Sequence, residues 1–555
     1  MMVAMAAAGQ VARPAPAPAV PDMSVAAGSA RIEQTSPGKR KPAELVTSFE
    51  GLGESFEGPQ GKARLRNPSD NSIAVGPDNV VVTVNSRMAI FTKKGRKYDT
   101  TGKVLYGPVN TNNVFKGFGG QCEASNNGDA VVRYDQLAKR WLIVMPLFRR
   151  GPERPDQPPE WKASERAYLS PPGVKGQPGR AATLSQPPKP DAAAEAAEQE
   201  RIRNWRHEEG EERPKGPYSV CYAISTGPDP LGSYYRYEFL RPLFPDYPRP
   251  AIWRDGYYVA TSSGDAVIQK QACVVDRARM LKGEPATEQC FIIDDVNFLN
   301  AADSDGKSMP PRGAPEVIMA TGGTQLKDKL EDDGIYYWNF HVDWKHPDRS
   351  RLTGPTKITV APYHYLCGGQ LTNCVPQPDS EKRLDAQGDK IMSRVVYRRI
   401  GNRESIVAVH SVNTTAGGGG VRWYEFRLDR NRSVSLYQQG TYAPDKFYRW
   451  MASPAMDRFG NIGIGYSFGG SPNFAGQRFT GRTAKDRLGE LTLGETVLVD
   501  GEGSQNAERW EDYSQTAVDP SDDCTIWYVG DYLKKDAANY SSRVGAFRMP
   551  GCVGK

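Results

Sequence analysis

The chain has 555 residues with 71 Lys and Arg against 65 Asp and Glu, so a net charge of +6 is spread over a long sequence. It contains no dense basic run, which argues against a nucleic-acid partner, and no run of 18 apolar residues, which argues against a membrane-spanning helix. The 56 glycines, 43 prolines and 26 tyrosines favour an all-β protein with many turns over a helical one.

The first 45 residues are rich in Ala, Pro and Ser and lack hydrophobic periodicity, which predicts a flexible leader. Its opening, MMVAMAAAGQ, is apolar and contains Ala-x-Ala-type sites. It lacks the basic region and the longer apolar core of a full signal peptide. Two interpretations stay open, namely the remnant of a signal peptide and an unstructured leader.

Strand–turn–strand units recur along the rest of the chain. In five of them an alanine and one apolar residue precede a turn that contains aspartate, and an apolar return strand follows. The alanines of these five units are Ala74, Ala130, Ala251, Ala455 and Ala517. With two weaker units, the order along the chain is residues 72–91, 128–145, 248–261, 335–344, 392–410, 449–467 and 509–529.

Residues 149–216 interrupt the second unit and contain 11 prolines. The proline-rich part cannot pack a core, whereas residues 192–209 have high helix propensity. We predict an insertion that is Pro-rich and then helical, and largely disordered. Residues 46–148 and 217–552 then form one domain.

Self-similarity at such spacings is typical of repeat folds, in which a four-stranded propeller blade needs roughly 40–50 residues. Seven units fit the remaining length best, with six or eight as alternatives. Blade closure also protects the edges of so many strands. We therefore predict an all-β fold with a single β-propeller of seven blades. The competing fold is a pair of β-sandwich domains.

The chain has eight cysteines and no CxxC pair. Short loops favour the disulfides Cys273–Cys290, Cys367–Cys374 and Cys524–Cys552. The two remaining cysteines then pair as Cys122–Cys221. Disulfides of this kind predict an exported protein, extracellular or periplasmic. The alternative is a cytosolic protein with eight free, buried cysteines.

The chain resembles a family of largely uncharacterised bacterial secreted β-propeller proteins. Five blocks carry the resemblance: SIAVGPDNVVVTVNSRMAIF, GDAVVRYDQLAKRWLIVM, FPDYPRPAIWRDGYYVAT, YQQGTYAPDKFYRWMASPAMDRFGNIGIGYS and RWEDYSQTAVDPSDDCTIWYV. The resemblance covers residues 65–550 apart from the insertion, and it implies export and a propeller but no established activity. Residues 521–527 (SDDCTIW) also resemble, more faintly, the Asp-box turn of sialidase-type propellers, although the glycine of that box is absent.

Ligands of propellers usually bind where the innermost strands meet at the central channel, so residues just before each alanine motif are expected to line its mouth. The candidate catalytic residues are Asp512, Tyr513, Asp129 and Arg449. The candidate ligand-binding residues are Asp70, Asp246, Tyr247, Trp450 and Glu511. Two carboxylates suit acid–base or nucleophilic chemistry on a sugar, and aromatic faces suit stacking on its ring. The structural alternative is that these carboxylates cap loops or hold a calcium ion.

Two functions follow from these candidates. The first is an exported, non-catalytic propeller that binds glycan or protein at the cell surface, because no catalytic motif is present. The second is a polysaccharide-acting glycoside hydrolase or lyase with its site at the channel mouth. The five histidines show no metal-ligand spacing, so we expect no cofactor. A structural Ca²⁺ held by the candidate carboxylates is the one addition that the structural alternative allows.

Overall fold

The computed structural model describes residues 22–63, 65–148, 167–169, 218–241, 244–263, 266–294, 296–322, 333–369 and 373–552. In these ranges the protein is all-β, and no helix there is long and apolar enough to cross a membrane. The predicted leader up to residue 21 and nearly all of the predicted insertion lie outside the described residues. Within the predicted insertion, Ala167–Leu169 is described and forms a strand.

The described strands form eight sheets, one of nine strands, one of five, four of four and two of two. In chain order, these strands comprise an N-terminal segment followed by units 1 to 7. That segment contains β1 (Glu33–Gln34), β2 (Glu44–Glu50), β3 (Glu57–Gly58) and β4 (Gly61–Lys62). Unit 1 contains β5 (Ser72–Val75), β6 (Asn79–Val84), β7 (Arg87–Thr92) and β8 (Val104–Asn110). Unit 2 contains β9 (Val131–Asp135), β10 (Arg140–Leu147), β12 (Tyr218–Ser225) and β13 (Tyr234–Arg241), and its chain is interrupted by β11 (Ala167–Leu169).

Units 3 to 5 follow in chain order. Unit 3 contains β14 (Asp246–Ile252), β15 (Gly256–Ser263), β16 (Ala266–Asp276) and β17 (Glu288–Asp294), with β11 added beside β17. Unit 4 contains β18 (Asn300–Asp305), β19 (Glu316–Thr321), β20 (Ile335–His341) and β21 (Arg351–Ile358). After the hairpin of β22 (Asn373–Pro376) and β23 (Arg383–Asp385), unit 5 contains β24 (Val395–Ile400), β25 (Arg403–Asn413), β26 (Gly419–Leu428) and β27 (Val434–Tyr442).

Unit 6 contains β28 (Tyr448–Met456), β29 (Ile462–Gly470), β30 (Asn473–Arg482) and β31 (Thr496–Val499). Unit 7 contains β32 (Gln515–Val518), β33 (Thr525–Tyr532), β34 (Ser541–Arg548) and, from the N-terminal segment, β2. The helices are short: α1 (Gly120–Ala124), α2 (Arg277–Met280) and 3₁₀ turns at Ser29–Ile32, Thr111–Phe115, Pro347–Arg349 and Leu366–Gly368.

The predicted hairpins are present, and their aspartates bond to the turn as expected. The Asp457 carboxylate accepts hydrogen bonds from the backbone N–H groups of Phe459 and Asn461 at 2.8 and 3.0 Å. The Asp522 carboxylate accepts from two N–H groups in the turn between β32 and β33. These acids are therefore part of the repeated turn.

The first strands of the units form a ring. Each contacts the first strand of the next unit, and β32 of the last unit contacts β5 of the first. A cavity of about 20 Å³ lies at the centre, lined by the first strands of units 1, 2, 3, 4 and 7 and by Arg394 just before β24. Units 4 and 5 are also joined by parallel pairing of β18 with β24. The architecture is propeller-like.

The N-terminal segment closes this ring and corrects the predicted leader boundary. Strand β2 pairs with β34, so the two ends of the chain share one sheet. Upstream, β1 pairs with the edge of β27, and the Gln34 side chain bonds both the N–H and the carbonyl of Leu491 at 2.8 and 3.0 Å. Residues 22–45 are thus bound along units 5, 6 and 7, because their backbone groups complete exposed sheet edges.

All four predicted disulfides are present, and no described cysteine is free. Cys122–Cys221 joins α1 to β12 across 99 residues and so spans the interrupting segment. Cys524–Cys552 links the turn before β33 to the chain after β34. Four disulfides fit a protein of an oxidising compartment.

Ring closure predicts a stability effect at Phe49 in β2. Its half-buried ring packs 5.0 Å from the Phe91 ring of unit 1 and 6.5 Å from the Trp527 ring of unit 7. Phe49→Ala should lower the free energy of unfolding by about 2 kcal/mol. Val46→Ala, at an exposed position of the same strand, should change it by less than about 0.5 kcal/mol. Urea denaturation measures the free energy of unfolding of both variants. Equal changes would show that packing of β2 against units 1 and 7 does not stabilise the closed ring.

Candidate functional site

The segments that precede the first strands meet at one end of the ring, here called the mouth. Asp70, Asp129 and Asp512 come from units 1, 2 and 7. The Asn85 side-chain amide, in the turn between β6 and β7, donates to Asp70 Oδ2 at 2.5 Å and to Asp129 Oδ1 at 3.0 Å. One amide nitrogen therefore bridges two carboxyl groups that lie far apart in the sequence.

The third carboxyl group, Asp512, is held differently. Its Oδ1 accepts a hydrogen bond from Gln387 Nε2 at 2.8 Å and forms an ion pair with Arg509. Arg509 also lies 3.2 Å from the Asp385 carboxylate. The phenol of Tyr247 donates to the Asp512 carbonyl at 2.7 Å, which ties unit 3 to unit 7 across the mouth.

Aromatic rings and cations form the other wall of the mouth. The rings of Tyr247 and Tyr513 meet edge to face at 5.3 Å, and Phe298 lies 5.2 Å from Tyr247. The guanidinium of Arg249 stacks 3.4 Å from the Tyr247 centroid and 4.6 Å from that of Tyr513. The ammonium of Lys390 lies 4.1 Å from the Phe298 centroid.

Backbone strain concentrates at the mouth. Non-glycine residues with positive φ, a conformation that costs of order 1 kcal/mol or more, recur before the first strands, within two of these strands, or in adjoining turns. They are Asp70 (50°), Asn85 (50°), Tyr247 (54°), Gln387 (46°), Met451 (48°), Glu511 (55°) and Asp512 (68°). Such outliers cluster at sites where side chains have to be aimed in one direction.

Burial and mutual repulsion perturb the acids of the mouth. Burial first, then the charges of Asp129 and Asp512, raise the pKa of Asp70 well above its usual value. Burial, then Asp246 and Asp512, do the same to the pKa of Asp129. Burial and the same two acids, Asp70 and Asp129, raise the pKa of the Tyr513 phenol. The pair bridged by Asn85 therefore holds protons more tightly than ordinary aspartates do.

Below the mouth, ion pairs fill the channel. Arg133 and Arg394 share the Asp303 carboxylate at 3.0 and 2.9 Å, and Arg394 also pairs with Asp305 at 2.7 Å. Arg133 donates to the side-chain oxygen of Gln515 at 2.5 Å. The first strands of units 2, 4 and 7 are joined through these bonds, so the mouth is the end of a closed channel.

Several buried polar atoms at the mouth have no hydrogen-bond partner within the described residues. They are all three guanidinium nitrogens of Arg249, the Tyr513 hydroxyl and Asp70 Oδ1. Buried polar groups are almost always hydrogen-bonded in native proteins. A group of such atoms in one place points to a ligand as their partner.

The structure places the other predicted residues outside this group. Arg449 pairs with Asp445 and Glu495 at 2.9 and 2.8 Å, away from the mouth acids. Trp450 is fully buried and packs 6.2 Å from Trp510. Asp246 is half-buried at the rim, where its carboxylate accepts the backbone N–H of Tyr247 at 2.8 Å.

Glu511 belongs to a buried carboxyl pair beneath the mouth. Its Oε1 accepts the backbone N–H of Asp531 at 2.6 Å, and its Oε2 accepts the Ser467 hydroxyl at 2.7 Å. Burial and Asp531 raise the pKa of Glu511, and burial raises that of Asp531 to about 7 although Asn71 donates to it. These bonds give Glu511 a structural role.

Six residues of the mouth were missed by the sequence analysis: Arg249, Asn85, Phe298, Gln387, Lys390 and Arg509. A signal existed for the first, since residues two apart in a strand share a face and Arg249 follows Tyr247 by two. The others lie in loops, where no local pattern relates them to the repeat.

One group of three potential metal ligands meets within the described ranges: Cys273, Glu288 and Cys290. Its two cysteines are joined in a disulfide and offer no thiolate. The Glu288 carboxylate pairs with Arg241 at 2.6 Å. This group is therefore an ion pair packed against a disulfide.

Comparison with known proteins gives structural similarity alone. No family model and no curated protein matches the chain. A protein of unknown function from Dyadobacter fermentans DSM 18053 aligns with TM-score 0.33 and 10% identity over 91% of this chain and 100% of its own. A PL25 ulvan lyase aligns with TM-score 0.39 and 10% identity over 89% and 95%, and NanB with TM-score 0.37 and 9% over 78% and 68%. Similarity at this level assigns no activity.

The Asp531 carboxyl predicts a pH-dependent stability. Because its pKa rises to about 7 in the folded protein, folding is favoured at low pH and this contribution is lost between pH 4 and 7, at about 1 kcal/mol per pH unit. Asp531→Asn keeps the acceptor for Asn71 and should make the protein more stable than the wild type at pH 7 but not at pH 4. Urea denaturation across this range measures the slope. The exposed Asp500→Asn is the control, and the idea fails if both variants keep the wild-type slope.

Proposed function

We propose that the protein is an exported, seven-bladed β-propeller that cleaves the glycosidic bonds of a polysaccharide at the mouth of its channel. The seven four-stranded units, the ring of their first strands and the closing strand β2 support the blade count. The four disulfides support export. The activity rests on the mouth residues alone.

The observation that carries this proposal is the pair of aspartates bridged by Asn85. Both have a raised pKa, and Asp129 is only half-buried whereas Asp70 is 1% exposed. A carboxyl group whose pKa is raised is suited to act as the general acid that glycosidic cleavage requires. Asp129 is therefore the proposed acid, with Asp70 as its buried neighbour.

Asp512 is the proposed base or nucleophile. Its environment differs from that of Asp129, because Arg509 and Gln387 bind its carboxylate. Two carboxyl groups with different surroundings at one cleft are the usual arrangement of acid and base in glycosidases. The Tyr513 hydroxyl would bind a sugar hydroxyl beside the Tyr247 ring, which meets the Tyr513 ring edge to face.

Binding without cleavage is the second candidate, and one observation favours it. Ion pairs close the channel below the mouth, and the Asp70 and Tyr513 side chains are almost fully buried. A glycan end bound at such a shallow site would contact Asp129 and the rim. The two candidates differ in whether Asp129 is needed for product release.

Asp129→Asn tests the proposed acid. The amide keeps the acceptor for Asn85 but has no proton to donate, so product release should fall by roughly 10²–10⁴-fold. A panel of polysaccharides is digested and assayed for new reducing ends and for unsaturated ends, which separate hydrolysis from elimination. Asp78→Asn, in the turn at the opposite end of β5, should retain full activity. Product release by Asp129→Asn at the wild-type rate excludes this role.

Asp246→Asn tests the electrostatics of that acid. Asp246 is the charged neighbour that raises the pKa of Asp129 most. Its neutralisation should lower the pKa of Asp129, so the alkaline limb of the pH–rate profile should move to lower pH with little change in the maximal rate. An unshifted limb would mean that a different group donates the proton.

A further inference from the structure

We infer that Arg249 is the anchor of an anion-binding subsite, and that the glycan bound at the mouth carries an acidic group, a carboxylate or a sulfate. The nature of the ligand rests on the proposed function. The anion subsite itself rests on the geometry of Arg249 alone.

The guanidinium of Arg249 is buried beside two tyrosine rings, and its N–H groups have no hydrogen-bond partner within the described residues. Tyr247 covers one face of the guanidinium at 3.4 Å, and Tyr513 lies at 4.6 Å. None of its three nitrogens has a hydrogen-bond partner within the described residues, although the side chain is 3% exposed. A guanidinium held through its π-face presents its N–H groups in the plane, the geometry that binds carboxylate and sulfate in two-point fashion.

Several acids of the channel and the mouth form ion pairs with other cations, and none of the described pairs involves Arg249. The carboxylates of Asp303 and Asp305 are bound by Arg133 and Arg394, and that of Asp389 pairs with Lys390 at 2.9 Å. Burial, Arg394 and Arg249 together lower the pKa of Arg133 to about 10. An isolated buried cation is costly, so an anion is the partner that this position favours.

The nearby acids do not replace that partner. The pKa values of Asp70 and Asp129 are raised by burial and by neighbouring acids, and neither carboxyl group has Arg249 among the charges that act on it most. An acidic sugar would bind Arg249 through its acid group, while Asp129, the proposed acid, supplies the proton. A neutral sugar would leave Arg249 without a partner.

Calorimetric titration with sodium glucuronate, sodium sulfate and glucose tests the inference at fixed ionic strength. Glucuronate and sulfate should bind to the wild type and glucose should not. Arg249→Met, which keeps an apolar chain between the two tyrosines, should weaken anion binding by at least about tenfold. Arg249→Lys, which keeps the charge but not the two-point geometry, should fall between the two.

The controls separate this inference from the proposed activity. Asp129→Asn should lose product release but bind glucuronate as the wild type does. Circular dichroism confirms that each variant is folded, and Arg249→Lys replaces Arg249→Met if the latter does not fold. Absence of anion binding by the wild type, or binding by the folded Arg249 variants at wild-type strength, would overturn the inference. Cleavage of neutral polysaccharides only would also overturn it while leaving the proposed acid in place.

Discussion

Pairing of the N-terminal strand β2 with the C-terminal strand β34 is the constraint on which the rest of the structure depends. A ring of sheets leaves two open edges until its first and last units are joined. Here the chain supplies the last strand of unit 7 from its beginning, and β32 then contacts β5. The closed ring makes every first strand begin at the same end, so that the polar segments before these strands meet at one mouth.

The mouth combines features that a fold would avoid if stability were its only requirement. Asp70, Tyr247 and Asp512 have positive φ, and the carboxyl groups of Asp70 and Asp129 crowd one amide. Each of these costs free energy, which the disulfides and the apolar sheets of the ring offset. The ion pairs of Arg133 and Arg394 below them close the channel and leave the mouth as a blind end.

Much of the fold was predictable because its signals are local. Turn aspartates such as Asp457 bond to N–H groups a few residues away, and three disulfides close short loops. The closing strand was missed, because residues 44–50 have no partner within their own hairpin. Its partner β34 lies almost the whole chain away.

The candidate site was predictable only in part. We predicted that residues just before each alanine motif line the mouth, and the structure places Asp70, Asp129, Asp512 and Tyr513 there. The same rule also selected Arg449, which pairs with Asp445 and Glu495 instead. The rule gives the place of a residue along the chain. The direction of its side chain depends on which neighbouring unit offers a partner.

The sequence alone determined the repeated strand–turn–strand unit and the cysteine pairing, because turn chemistry and short loops act between residues close in the chain. Only the tertiary structure decided that Asn85 bridges two aspartates and that Glu511 belongs to a buried carboxyl pair. It also decided that Arg249 lies over the Tyr247 ring, near Tyr513, without a hydrogen-bond partner within the described residues. These contacts join different strands and loops, and that of Arg249 with Tyr513 joins unit 3 to unit 7. They form only when the closed ring fixes the distances between its first strands.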